Sequence, residues 1–193
     1  MYTLTSLVLL AAASTTLASP IQARQNPCFI IGSTALPAEV SASVASISSV
    51  ITCTPNTNVL QGVPDVVSGG VSFSSVNFAA SSSNQSPLAF ALSKFATKSP
   101  LASNDLAKFQ NELNVYLAVE AGIRSVGGNF AAIKIPKFFL EFQISRIETA
   151  QGNPPAAAGL QVDHLLGKVT KNAAGEKDKS LLDEVTRLSK VLA

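Results

Sequence analysis

Four glutamates lie on two predicted helices at spacings that would allow their side chains to meet. Glu112 and Glu120 are eight residues apart, and Glu141 and Glu148 are seven apart on the next helix. Both spacings return to about the same helix face, so four carboxylates could face one interior. A di-metal site of that kind also needs Glu-x-x-His pairs, and the sequence has none. We therefore expect no metal and no cofactor, and keep the four glutamates as candidates for an enzyme of unrecognised type.

Ion pairing is the simpler role for these carboxylates. Glu120 and Arg124 are spaced i, i+4, the spacing at which opposite charges meet on a helix. Glu141 and Arg146 are five residues apart, which is a poor spacing for one helix face. Alternatively, these two residues could form ion pairs with side chains of the preceding helix.

Other catalytic sets have little support. The single histidine, His164, is next to Asp163, which a helix would direct to a different face, and no Gly-x-Ser-x-Gly motif occurs. Spacing alone leaves carboxylate pairs of the glycosidase type open, but a chain with no Trp and two Tyr lacks the usual sugar-stacking surface. We expect no catalytic residue, interpret His164 as a solvent-facing or boundary residue, and favour a non-enzymatic extracellular interaction protein.

The apolar composition suggests the alternative function. Ten Phe accompany many aliphatic residues, while the first half of the chain carries few charges. An apolar cavity or exposed apolar surface would make the protein a binder of apolar ligands or hydrophobic surfaces, although the same residues suit an ordinary core. The net charge of +2 gives no basis for binding nucleic acid or an anionic membrane.

The N-terminal residues indicate export. The run Leu4–Ala13 is apolar, and Thr16–Ala18 has the small residues that signal peptidase requires. An apolar run of about ten residues is too short to span a bilayer. We predict a signal peptide at 1–18, a short pro-segment at 19–24 as a second processing step, and a single secreted helical domain over 25–193. No later segment is predicted to span a membrane, and we expect a monomer with an unknown extracellular partner.

The two cysteines fit the same compartment. After export, Cys28 and Cys53 would meet oxidising conditions, and their even number predicts one disulfide that closes a loop of 25 residues. A metal pair or a redox pair are the alternatives, but the chain has no Cys-x-x-Cys motif. Asn84 begins a glycosylation sequon and is a candidate acceptor, although Pro87 directly follows the sequon.

Hydrophobic periodicity predicts a mainly α fold, a bundle of five or six helices. Residues 56–80 are the least helical and predict a loop-rich segment with a short β-hairpin, in which Val71–Ser74 would pair with Val59–Val63. Proline and capping residues predict where the helices begin. These starts are Pro37, Ser86-Pro87, Ser103–Asp105, Pro136, Ala156 after Pro154-Pro155, and Asp178 or Ser180.

Four stretches carry a family resemblance. They are Cys28–Pro37, with the pattern Cys-x-Ile-x-Gly-x-Thr-Ala-Leu-Pro, and then Gly62–Gly70, Tyr116–Ser125 and Pro136–Phe139. Together they resemble uncharacterised small secreted proteins of filamentous fungi. The resemblance implies a secreted, effector-like protein and supplies no catalytic residues.

The processing prediction can be checked on the secreted product. We expect the intact mass of the full chain, expressed in a secreting eukaryotic host, to match a start between Ser19 and Gln25. The mass should also be two hydrogens below that of the reduced chain because of the disulfide. Recovery of the leader-bearing chain inside the cells with two free thiols would contradict both expectations.

Overall fold

The computed structural model describes residues 26–81 and 84–192. The predicted signal peptide and pro-segment lie outside these residues. The described chain contains seven α-helices and one three-stranded antiparallel sheet, which confirms the mainly α class with a short β-segment. The helix count exceeds five or six because the β-segment ends in a separate four-residue helix. Within the described ranges, none of the helices has both the length and the apolar character needed to cross a membrane.

The helices and strands follow one another with short connections. The helices are α1 Ala38–Ile47, α2 Phe73–Val76, α3 Pro87–Lys94, α4 Leu106–Ser125, α5 Ala131–Ala150, α6 Val162–Asn172 and α7 Lys179–Lys190. The strands are β1 Thr52–Asn58, β2 Pro64–Ser68 and β3 Val71–Ser72.

Side-chain caps fix three of the predicted helix starts. Ser86 accepts a hydrogen bond from the N–H of Ala89 at the start of α3, where Pro87 occupies the first helical position. Asp105 and Asp178 accept equivalent bonds at the starts of α4 and α7. Each cap satisfies a backbone donor that the first helical turn leaves free. These three starts are therefore confirmed.

Two predicted starts are wrong. Helix α5 begins at Ala131 and includes Pro136. Pro136 removes only one backbone N–H donor, close to the start of the helix. Ile133 is buried, and this burial favours an additional helical turn before the proline. Helix α6 begins at Val162 rather than Ala156, after a 3₁₀ turn that leaves Leu160 about half exposed.

The strand pairing also differs from the prediction. Strand β2 is central, and β3 pairs with it through Val67–Ser72 and Ser68–Val71. Gly69 and Gly70 both have positive φ, which allows the tight two-residue turn between these strands. Residues 59–63 form the turn between β1 and β2 instead of a strand, with a hydrogen bond from the Val59 N–H to the Val63 carbonyl.

The disulfide between Cys28 and Cys53 is confirmed, with 6.1 Å between their Cα atoms. Cys53 lies in β1, so the bridge joins the N-terminal arm, residues 26–37, to the sheet. The arm is also held on α4, because the Ser125 hydroxyl accepts hydrogen bonds from the N–H groups of Ile31 and Gly32.

Helix α4 lies at the centre of the core together with α5. It contacts α1, α2, α5, β2 and β3, and its residues from Ala118 to Ile123 are all buried. A Cβ added to Gly122 would lie 2.6 Å from the Phe29 carbonyl oxygen and 2.8 Å from the Val63 methyl groups. The glycine therefore allows the arm and the sheet to approach the helix backbone.

A matched pair of glycine substitutions tests this close approach. Gly122→Ala should lower the free energy of unfolding by about 1–3 kcal/mol, because backbone and core atoms would have to move. Gly167→Ala in α6 is the control, since an added Cβ meets nothing within 4 Å. In Gly167→Ala, the better helix propensity of alanine should raise the free energy of unfolding by about 1 kcal/mol. Equal effects in urea unfolding would contradict the proposed packing role.

Candidate functional site

A cleft of about 630 Å³ lies between α1, α4, α5 and α6, and we call it the cationic cleft. Its apolar lining includes Val40, Leu117, Phe130 and Phe138. Its charged lining consists of the cations Arg124, Lys134, Lys137, Lys168 and Lys171 and the carboxylates Glu39, Glu120 and Glu141. These charges come from four different helices.

Helical spacing explains how the charges come together. Helix α5 contributes Lys134, Lys137, Phe138 and Glu141, whose spacing of i, i+3, i+4 and i+7 places them on one face. Helix α6 contributes two lysines from its C-terminal turns, where the helix dipole favours positive charge. The cleft is therefore formed where the α5 face meets the end of α6.

Glu120 lies at the base of the cleft and is only 4% exposed. Its Oε1 accepts from Arg124 with 2.8 Å to both Nε and Nη2, which confirms the predicted pair. Its Oε2 accepts from Lys137 Nζ at 2.6 Å. Sequence spacing gave no signal for this second partner, because it lies on a different helix.

Two phenylalanine rings hold cations along the cleft. The Arg124 guanidinium carbon lies 3.7 Å from the Phe130 ring centre, and Lys134 Nζ lies 5.0 Å from it. Lys137 Nζ and Lys168 Nζ lie 4.4 and 5.3 Å from the Phe138 ring centre. These are cation–π distances, at which the ring faces attract positive charge. The rings thus position four of the five cations.

Glu141 shares the cleft with Glu120 but has a different environment. It is half-buried, and it forms no hydrogen bond or ion pair with any residue in the described ranges. Burial raises the pKa of Glu141 above its usual value, while the charges of Lys137 and Lys168 oppose this shift and Glu120 adds to it. Of the three carboxylates in the cleft, Glu120 is therefore held in ion pairs, whereas Glu39 and Glu141 form no ion pair with any described residue.

The other two glutamates lie elsewhere, so the four candidate carboxylates do not converge. Glu112 is buried, its Oε1 is 3.0 Å from Lys108 Nζ, and its Oε2 has no hydrogen-bond partner. Burial raises the pKa of both Glu112 and Glu148. Among the residues described, no three His, Cys, Asp or Glu side chains form a group that could hold a metal ion.

The remaining candidate residues have structural or surface positions. Arg146 is buried and donates to the carbonyls of Leu188 and Val191, so it fixes the end of α7 and does not bridge Glu141 to α4. Burial lowers the pKa of Arg146 to about 10. His164 is exposed, as predicted, and Asn84 is exposed in the segment before α3.

Residues 30–193 match a family described as a domain of unknown function, DUF7143. The match covers most of the chain, which therefore belongs to this family. No curated protein and no solved structure matches the chain. The expectation of an uncharacterised family is confirmed, and the family supplies no catalytic or binding residues.

The raised pKa of Glu141 predicts a pH-dependent stability difference. A carboxyl whose pKa is raised by folding favours the folded state at low pH, and that advantage is lost as pH rises above its ordinary value of 4.5. Glu141→Gln should therefore gain stability relative to the wild type as pH rises from about 4 to about 7. Urea unfolding at several pH values measures this difference.

Glu184 provides a control of opposite sign. Its hydrogen bonds with Arg187 lower its pKa, so its stabilising contribution is present at neutral pH and lost as pH falls. Glu184→Gln should lose a small amount of stability at about pH 7, because the pair lies at the surface. A Glu141→Gln curve parallel to that of the wild type would show that burial does not perturb the Glu141 carboxyl.

Proposed function

From the family membership and the cleft, we propose that this chain is a secreted, non-enzymatic binding protein whose cationic cleft is its interaction site. The observation that carries the proposal is the set of cations held over Phe130 and Phe138. Cations fixed on aromatic rings are suited to hold a ligand, whereas catalysis of the kind considered from the sequence needs converging carboxylates. In the cleft, Glu120 is occupied by two ion pairs, and Glu141 has no second group positioned for acid–base work.

Export is part of the proposal. It is supported by the apolar run within residues 1–18, and the disulfide and the absence of a membrane-spanning helix in the described ranges are compatible with it. The exposed position of Asn84 suits a glycan acceptor in the secretory route. The residue patterns quoted above support a place among the effector-like secreted proteins of filamentous fungi. We further propose that the protein is a monomer.

A binder of purely apolar ligands is the weaker alternative. Phe130 and Phe138 favour it, because they line the cleft. Cations lie over these rings, however, so an apolar ligand entering the cleft would have to contact or displace charged groups at a desolvation cost. A ligand with both charge and carbon surface satisfies the cleft better. An enzyme that uses clustered carboxylates has the least support, because the four glutamates are dispersed.

Blocking the cleft tests whether it is the interaction site. Ser43 of α1 lies on the cleft lining, and Ser43→Trp should fill part of it with a bulky ring. We expect a thermal-shift screen with anionic, neutral and cationic small molecules to find compounds that raise the melting temperature of the wild type. Those compounds should have at least tenfold weaker affinity for Ser43→Trp, because an occupied cleft excludes any ligand.

Ser41→Trp is the matched control, since Ser41 lies two residues earlier on the same helix and is exposed outside the cleft. It should retain wild-type affinity and a similar melting temperature. The proposal fails if the compounds bind Ser43→Trp and the wild type equally. It also fails if no compound of any charge shifts the wild type, or if a compound is chemically converted by the purified protein.

A further inference from the structure

We infer that the cationic cleft takes a small organic dianion, with its charge on carboxylate or phosphate oxygens and a compact carbon body. This inference rests on the proposed function and names the ligand class. It depends on three features of the cleft: its charge excess, the cations left without carboxylate partners, and its size.

The cleft concentrates the charge of the whole chain. Its five cations and three carboxylates leave an excess of two positive charges. The chain as a whole has 14 Lys and Arg and 12 Asp and Glu, which is the same excess of two. One of the 14 is Arg24 in the predicted pro-segment, so the mature chain carries eight cations and nine carboxylates outside the cleft, and these nearly cancel. A ligand with two negative charges would therefore neutralise the cleft, which carries the positive charge excess of the mature chain.

Three lysines are available for such a ligand. Arg124 and Lys137 are already paired with Glu120. Lys134, Lys168 and Lys171 form no ion pair with any residue that the structure describes. Lys134 is on α5 and the other two are on α6, so the unpaired charges lie on two different helices that border the cleft.

Aromatic contacts reduce the cost of binding. Lys134 Nζ is held near Phe130, and Lys168 Nζ is held near Phe138. A lysine side chain that is already positioned loses less conformational freedom when an anion binds. Charge-assisted hydrogen bonds from ammonium groups to carboxylate or phosphate oxygens are also about twice as strong as neutral ones. Lys134 and Lys168 are therefore the residues that would select a dianion over a monoanionic or neutral ligand.

The volume selects the size of the ligand. A cleft of about 630 Å³ is within the range that holds a small organic molecule, and it is much larger than a single inorganic ion requires. Val40 and Leu117 supply apolar surface for a carbon body. A polyanion such as nucleic acid fits less well, because the surface beyond the cleft contributes no net positive charge to extend the contact.

Calorimetry on the full mature chain tests the inference with matched probes. Succinate and phthalate represent dicarboxylates, and glycerol 2-phosphate represents a phosphate monoester. Butyrate and benzoate are monoanionic controls, and succinamide is a neutral control. We expect the dianions to bind at least tenfold more tightly than the monoanions or the amide, with an affinity that falls as salt is added. The relative affinities for phthalate and glycerol 2-phosphate identify the anionic group.

Charge-removing variants provide the second arm. Lys134→Gln and Lys168→Gln should each weaken dianion binding by about tenfold, which is the effect of losing one charge-assisted hydrogen bond. Both keep a long polar side chain and leave the Glu120 ion pairs intact. Lys98→Gln is the control, because Lys98 is exposed and lies outside the cleft lining. It should bind dianions as the wild type does.

The outcomes separate this inference from the proposed function. Selective binding of dianions, lost in the two cleft variants and retained in Lys98→Gln, would support the inference. Equal binding of succinamide and succinate, or unchanged dianion affinity in the cleft variants, would overturn it. If a neutral or cationic compound still binds and is excluded by Ser43→Trp, the proposed function stands without the dianion. If every compound that binds the wild type also binds Ser43→Trp equally well, both the proposed function and the dianion inference fail.

Discussion

The charge of Glu120 is the constraint on which the cleft depends. This carboxylate lies on the most deeply buried part of α4, and a buried charge without partners would cost several kcal/mol. Arg124 and Lys137 satisfy it from two different helices. Those two cations lie in turn against Phe130 and Phe138, which also hold Lys134 and Lys168. A structural need at the centre of the fold therefore explains two of the five cations that line the cleft.

The same helix also organises the apolar part of the molecule. Helix α4 contacts helices and strands on several sides. Its central residues are therefore buried whichever face of the helix they occupy. Gly122 allows the Phe29 carbonyl and the Val63 side chain to approach its backbone. The disulfide then joins the N-terminal arm to β1, so the arm is anchored at both the sheet and α4.

Local features of the sequence were predicted well where the chemistry is local. Ser86, Asp105 and Asp178 cap helices by bonding to N–H groups two or three residues ahead, and that spacing is visible in the sequence. Pro136 misled the prediction, because a proline near a helix start resembles one at the first position, and only the burial of Ile133 extends α5 backwards. Leu160 has core chemistry, but the 3₁₀ turn before α6 directs it outward.

The mainly α class, the Cys28–Cys53 disulfide and the Glu120–Arg124 pair could all be predicted before the fold was known, because hydrophobic periodicity, an even cysteine count and an i, i+4 spacing are local features. Helix packing was needed to show that Lys137 completes that pair and that Glu112 and Glu148 lie outside the cleft that Glu120 and Glu141 line. It also decided that lysines of α5 and α6 line one cleft. The physical reason is that helical periodicity defines the face a residue occupies, whereas the packing of helices defines which faces meet.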